Sequence, residues 1–161
     1  MKRDELLNKL REKFPQAEMK IDEDNSEAIY FPSYQLEPIA DYLKHDAEMD
    51  FDLMNFMTAV DYMTELELVY NFSSIKNRHH LTLKTRINRD NPQIPAVCLV
   101  YPTAEWFERE VFDLFGVHFS GHPDLTRIMM PEDWPGHPLR KDYMNENLIP
   151  LPNGTGPVIP A

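Results

Sequence analysis

Sulphur is nearly missing from this chain as a ligand: Cys98 is the single cysteine in 161 residues. One thiol cannot close an internal disulfide, and one thiolate cannot hold an iron–sulfur cluster, which takes about four ligands. Glycine is scarce at 5 residues, and none lies in a Gly-rich loop of the kind that cradles phosphates. No apolar run approaches the roughly 20 residues of a membrane-spanning helix. The charged start, Met1-Lys2-Arg3-Asp4-Glu5, is not followed by the apolar stretch of a signal peptide. These absences predict a soluble chain, not exported, in a reducing compartment, with no metal, flavin or cluster of its own.

Positive charge is also short, with 16 Lys and Arg against 27 Asp and Glu and a formal charge of -11. Residues 1–72 hold 17 acids and 7 bases, whereas residues 73–161 hold 10 and 9. Such a surface repels phosphate backbones and anionic lipid heads, which excludes nucleic acid and direct electrostatic attachment to a membrane.

What is present suits one folded domain with an irregular part. Hydrophobic residues make up 42%, enough for a core, and 14 prolines require stiff connections. Residues 3–14 read as a helix with Leu6, Leu7 and Leu10 on one face and Pro15 as its stop. A short strand over 28–31 precedes a second helix over 35–47, where Leu36, Ile39, Ala40 and Leu43 recur at helical spacing. Residues 53–62, 66–73 and 78–87 read as strands, the last two alternating apolar and polar side chains, and their short links predict an antiparallel meander. Residues 96–101 read as extended. Residues 103–115 read as a third helix, capped by Thr103 and stopped by Gly116, with Phe107, Val111, Leu114 and Phe115 facing the core. The expected fold is α+β: a small, mostly antiparallel sheet covered by helices over 1–120, followed by an extended, irregular Pro-rich arm over 121–161.

Helical spacing places Glu105, Arg109 and Asp113 at successive i,i+4 positions, predicting an acid–base–acid ladder on one side of the third helix. His118, His122, Asp133 and His137 supply potential metal ligands. Gly116, Gly121 and Pro123 deny the histidines the helix that would give their spacing meaning. His79 and His80 point to opposite faces of a strand. No nucleophile elbow is present, and burial of Cys98 in the apolar run Val97 to Val100 raises its thiol pKa.

The stretch Glu108-Arg109-Glu110-Val111-Phe112-Asp113-Leu114-Phe115-Gly116 runs into Gly121-His122-Pro123-Asp124-Leu125-Thr126-Arg127-Ile128-Met129-Met130-Pro131-Glu132-Asp133-Trp134. Gly136-His137-Pro138-Leu139-Arg140-Lys141-Asp142-Tyr143 follows. Together these resemble the signature of the C-subunit family of NADH:quinone oxidoreductase, the respiratory complex I. Thr58-Ala59-Val60-Asp61-Tyr62 is a fainter echo upstream. Related subunits of membrane-bound hydrogenases and of dehydrogenases with other electron donors share the motif. The resemblance implies an assembly role in the hydrophilic arm of a proton-translocating complex, packed on the quinone-site subunit at the cytoplasmic face of the membrane or its organelle equivalent. It implies that NADH oxidation, flavin, iron–sulfur clusters and quinone belong to partner subunits, with no catalytic, cofactor-binding or metal-binding residues here. Many relatives carry a second Arg where this chain has Thr126.

The residue chemistry suits docking, because a Pro- and Gly-locked segment loses little entropy on binding and presents residue types favoured at interface centres. The docking residues expected are Glu105, Arg109, Asp113, Arg127, Met130, Trp134, Arg140 and Lys141. Two alternatives stand: the equivalent subunit of a hydrogenase or other-donor dehydrogenase, and a free-standing metalloenzyme built on His118, His122, Asp133 and His137.

Overall fold

A computed structural model describes residues 3–23 and 28–144. Helix α1 (Arg3–Lys13) leads through the short β1 (Lys20–Ile21) to β2 (Ala28–Tyr30) and, after one 3-10 turn, to α2 (Leu36–His45). Three long strands follow, β3 (Leu53–Asp61), β4 (Glu65–Ser74) and β5 (His79–Asn88). Then come β6 (Gln93–Pro95), α3 (Ala104–Phe115) and β7 (His118–Ser120). The expected tail beyond residue 144 lies outside the described residues.

The meander is present: β3 pairs antiparallel with β4, and β4 with β5, in the order β1-β2-β5-β4-β3. The sheet is mixed, since β2 lies parallel to β5 with Ile29 opposite Leu83. Alternation decides which face is buried. Leu66, Leu68, Tyr70 and Phe72 of β4 and Leu81 and Leu83 of β5 enter one core with Leu6, Leu7 and Leu10 of α1, Leu36, Ile39 and Leu43 of α2, and Val111 and Leu114 of α3. Alternate side chains on the opposite face form an ionic network. Glu67, 1% exposed, takes Arg86 at 3.1 Å and Lys84 at 3.3 Å, while Lys84 also reaches Asp22 at 2.7 Å. His79 is buried and His80 exposed, as strand alternation requires.

Three local expectations are corrected. Residues 96–101 are not extended: the Val100 and Tyr101 amides both donate to the Val97 carbonyl, at 2.9 and 2.8 Å, so the apolar run coils into a turn that feeds α3. Thr103 does not cap α3 with its side chain. The carbonyls of Tyr101 and Pro102 already accept the amides of Ala104 and Glu105, which leaves the cap with little to satisfy. Helix α2 ends at His45, because the Asp46 carboxylate turns back onto the amides of Glu48 and Met49 at 3.0 and 3.1 Å. Gly116 does end α3, in the left-handed conformation at φ 77°, donating to the Phe112 carbonyl at 2.9 Å.

Helix α3 is amphipathic in an unexpected sense. Phe107 is only partly buried, whereas the carboxylates Glu108 and Asp113 are both 0% exposed. A charged side chain at full burial requires compensating partners, and those partners define the site.

Candidate docking site

The ladder expected along α3 is not formed. Arg109 turns away from both acids and donates to the Thr126 hydroxyl at 2.7 Å and the Thr126 carbonyl at 3.2 Å, while its guanidinium lies 5.1 Å above the Trp106 ring. Glu105 contributes its backbone carbonyl to His122 Nε2 at 3.2 Å. The tertiary reason is that residues after Gly121 fold back along α3 and outcompete a solvent-exposed i,i+4 pair, which contributes only about 0.3–0.5 kcal/mol.

Asp113 organises that return. Its Oδ2 accepts three consecutive amides, from Ile128 at 3.0 Å, Met129 at 2.7 Å and Met130 at 2.9 Å, and its Oδ1 accepts Arg127 Nη1 at 3.2 Å. Burial alone would raise this carboxyl, but the three amides and the guanidinium prevail and hold it below the ordinary value. Arg127 extends the clamp to the Gly136 carbonyl at 3.1 Å.

Residues 137–140 then complete the end of α3. A helix leaves its last four carbonyls without internal partners. Here Phe112 is met by the Gly116 amide, and Asp113 by His137 Nδ1 at 2.9 Å. Leu114 is met by the Leu139 amide at 3.0 Å, and Phe115 by Arg140 Nε at 2.7 Å. Arg140 thereby sets a cation against the negative end of the helix.

A second carboxylate fixes the far end of the segment. Asp61, at the end of β3 and 3% exposed, holds Arg89 through two bonds of 2.9 Å and accepts the amides of Met63 at 2.8 Å and Lys141 at 2.9 Å. Burial pushes Asp61 up, yet the bonds from Arg89, Lys141 and Met63 outweigh it and bring it down to about 2. Arg89 also holds Asp142. Backbone amides at 128–130, 139 and 141 thus find partners outside the segment but inside the same chain. Contacts run continuously across residue 120 into the segment that the sequence set apart as an arm.

Of the expected docking residues, Glu105 enters only through its backbone carbonyl, and the other seven fall into two groups. Asp113, Arg127 and Arg140, with Arg109, are held within the chain and shape the segment. The Met130 side chain packs on the core edge, and Trp134 is partly buried with an Nε1 that has no partner among the described residues. The Lys141 ammonium lies 5.9 Å over the exposed Tyr62 ring. The segment and its neighbours leave Trp106, Met129, Leu139, Met144, Tyr62 and Met63 exposed, at 46–63% each. Asp61 and Glu108 stood in the signature motifs without a role, and Arg89 was not singled out; an acid within the apolar pattern of β3 was the available signal for Asp61.

His118, His122, Asp133 and His137 do not converge among the described residues. The His118 and Asp133 side chains are exposed, and His137 is taken up by the Asp113 carbonyl. A different trio, Cys98, Glu108 and His122, places its ligand atoms within 4.8 Å of one another. Its chemistry is adverse to a metal. The Asp124 amide donates to His122 Nδ1 at 3.1 Å, which puts the ring proton on Nε2, the atom facing the cluster. The Cys98 thiol is pushed up to about 12, by burial first and then by Glu108.

The family model of the "Respiratory-chain NADH dehydrogenase, 30 Kd subunit" matches residues 29–147. The C subunit of the NADH-quinone oxidoreductase of Salinispora tropica is 38% identical over 87% of this chain, which spans 60% of that protein's length. The corresponding C subunits of Acidothermus cellulolyticus and Geotalea uraniireducens are 43% and 41% identical over 81% and 84% of the chain, covering 71% and 84% of their own lengths. A chain of the membrane-bound sulfane sulfur reductase, an archaeal respiratory membrane complex, superposes with a TM-score of 0.65 at 35% identity over 88% of this chain and 85% of that one. A trypsin-resistant fragment of Nqo5 shares the fold, with a TM-score of 0.59 at 23% identity, over 76% of this chain and 98% of the fragment. With the return segment lying inside the matched region, the chain belongs to the family of the 30 kDa subunit, or C subunit, of respiratory NADH dehydrogenase.

Proposed function

We propose that this chain is a structural subunit of the hydrophilic arm of a proton-translocating NADH:quinone oxidoreductase, packed on the quinone-site subunit and carrying no catalytic, metal-binding or cofactor-binding residue. Flavin, iron–sulfur clusters and quinone belong to its partners, and it reaches the cytoplasmic face of the membrane through them. No helix among the described residues is long and apolar enough to cross a membrane.

The observation that carries this reading is the segment 121–144. An irregular stretch is fixed at both ends by the buried carboxylates Asp113 and Asp61, and it holds Met129, Leu139 and Met144 in water at 58%, 52% and 63% exposure. Order established in advance, with apolar side chains left outside, suits a docking surface, since the entropy of ordering is lost in folding rather than in binding. Arg127 and Arg140 within it, with Asp113 of α3, fix the shape, while Trp134, Met130 and Lys141 share the segment with the exposed methionines and leucine.

A second reading places the chain as the equivalent subunit of a complex with another electron donor. The superposition on the sulfane sulfur reductase chain favours it. One experiment separates the two: purify the tagged full chain with its native complex and identify the stoichiometric subunits. A flavoprotein with NADH-oxidising activity and a quinone-site subunit support the first reading, and hydrogenase or sulfur-reducing subunits support the second. A Met129→Glu/Leu139→Glu variant should lose those partners while its melting temperature stays within about 2 °C, as expected for exposed positions. Undiminished recovery of partners would overturn the docking role.

A further inference from the structure

Glu108 is the buried charge of α3 that the return segment does not neutralise. Its Oε1 accepts the Val97 amide at 2.6 Å, but its Oε2 has no hydrogen-bond partner among the described residues, and the residue is 0% exposed. The group facing Oε2 is His122, whose Nε2 lies 3.8 Å away and whose side chain is also fully buried. The titratable groups around Glu108 come from every neighbouring element: Cys98 from the turn before α3, Tyr70 from β4, Glu105 from the preceding turn of α3, and His122 from the segment after β7. Among the described residues its ion-pair partner is that histidine rather than a Lys or Arg, so a permanent positive charge is not at hand.

We propose that a proton held on Glu108 beside the buried His122 ring latches residues 121–126 onto α3, and that loss of this proton to solvent releases the segment. With the proton bound, the pair is a carboxylic acid beside a neutral imidazole whose Nδ1 accepts the Asp124 amide, an arrangement without net charge that suits a dry site. Without it, a carboxylate is left buried, supported by the Val97 and Cys98 amides and the Cys98 thiol but by no fixed cation among the described residues. Desolvation of that anion is relieved when water reaches Oε2, which requires the His122 ring to leave the Glu105 carbonyl. The same segment carries Asp124 and Thr126, the partners of Arg109, so its release frees the Arg109 guanidinium as well. Burial raises the Glu108 carboxyl to about 7, above the reach of an ordinary glutamate, which puts the transition in the neutral range. The latch acts within this chain and does not depend on the identity of its partners.

Amide hydrogen exchange on the full chain between about pH 6 and pH 8, corrected for intrinsic rates, reads the latch. Protection of residues 121–126 should fall roughly tenfold per pH unit above the midpoint, while β4 amides stay unchanged. Glu108→Gln should abolish the fall and keep the segment protected at both ends of the range, and His122→Asn should leave it open throughout. A fall that persists unchanged in Glu108→Gln, or protection independent of pH in the natural chain, would overturn the proposal. Should Glu108→Gln fail to fold, the side-chain carboxyl carbon of Glu108 can be titrated by NMR in the natural chain. A midpoint below about 5.5 rejects the latch, and one near neutrality with matching shifts at His122 supports it.

Discussion

The Met129 amide donates to Asp113 Oδ2 across 2.7 Å, between the Ile128 and Met130 amides that share the same oxygen. A helix residue thereby orders a loop 16 residues further along the chain. Asp113→Asn keeps the size but replaces an acceptor with an NH2 group facing amide donors. It should cost about 3 kcal/mol, a drop in melting temperature of roughly 10 °C, because buried donors lose a charged acceptor. The exposed Glu110→Gln on the same helix should shift stability by less than about 0.5 kcal/mol. Differential scanning calorimetry of both variants checks the pair, and equal effects would show that Asp113 does not clamp the loop.

Asp61 and Arg89 form a buried ion pair, and breaking it from one side strands a charge. Arg89→Met should destabilise by about 3–5 kcal/mol, since Asp61 is left with only the amides of Met63 and Lys141. Adding Asp61→Asn to Arg89→Met should recover part of that loss, as the stranded charge disappears. A double-mutant cycle by urea unfolding measures the coupling, and additivity within about 0.5 kcal/mol would mean that the two side chains act independently.

Gly116 and Gly121 both hold positive φ, at 77° and 88°, but their surroundings differ. A Cβ on Gly116 would stand 2.5 Å from the His137 ring, whereas one on Gly121 meets nothing within 4 Å. Gly121→Ala should carry only the left-handed strain, about 1 kcal/mol. Gly116→Ala should cost more, because His137 must also leave the Asp113 carbonyl, and amides at 137–140 should lose protection. Equal losses in thermal unfolding would contradict this assignment.

Acid should loosen the return segment before the sheet. Asp61 and Asp113 both have lowered pKa values in the fold, so the stability they supply is present above the ordinary carboxyl value of 3.8 and is lost as pH falls through the folded values, for Asp61 about 2. Between about pH 4 and pH 2 the protection of 128–130 and of Lys141 should fade. Glu108 has the opposite sign: its raised value gives stability that is full below 4.5 and is lost as pH rises through about 7. A pH series of NMR spectra checks both directions.

The elements that the sequence made legible are those whose burial follows a single period. Leu66, Leu68, Tyr70 and Phe72, and Leu81 and Leu83, alternate because one face of a sheet is wet, and Leu36, Ile39 and Leu43 repeat because one face of α2 is dry. Gly116 marked the end of α3 because few other residues accept its backbone conformation. The parallel pairing of β2 with β5 and the short strands β6 and β7 carried no such period, being three-residue strands whose partners lie far along the chain.

The site was legible as a signature and illegible as a geometry. By itself the sequence determined the local chemistry: which residues are charged, where prolines forbid a helix, and that Glu105, Arg109 and Asp113 share a side of α3. It could not say what those side chains meet, because the partners of Asp113 are backbone amides at 128–130, those of Arg109 are at Thr126, and those of Asp61 are at Arg89 and Lys141. Backbone amides have no sequence identity, and only the folded path of residues 121–144 brings them to a carboxylate. Tertiary structure alone decided that one member of an apparent surface ladder, Asp113, is a buried anchor, since desolvation makes an unpaired charge far more costly than the solvent-exposed pairing it gives up.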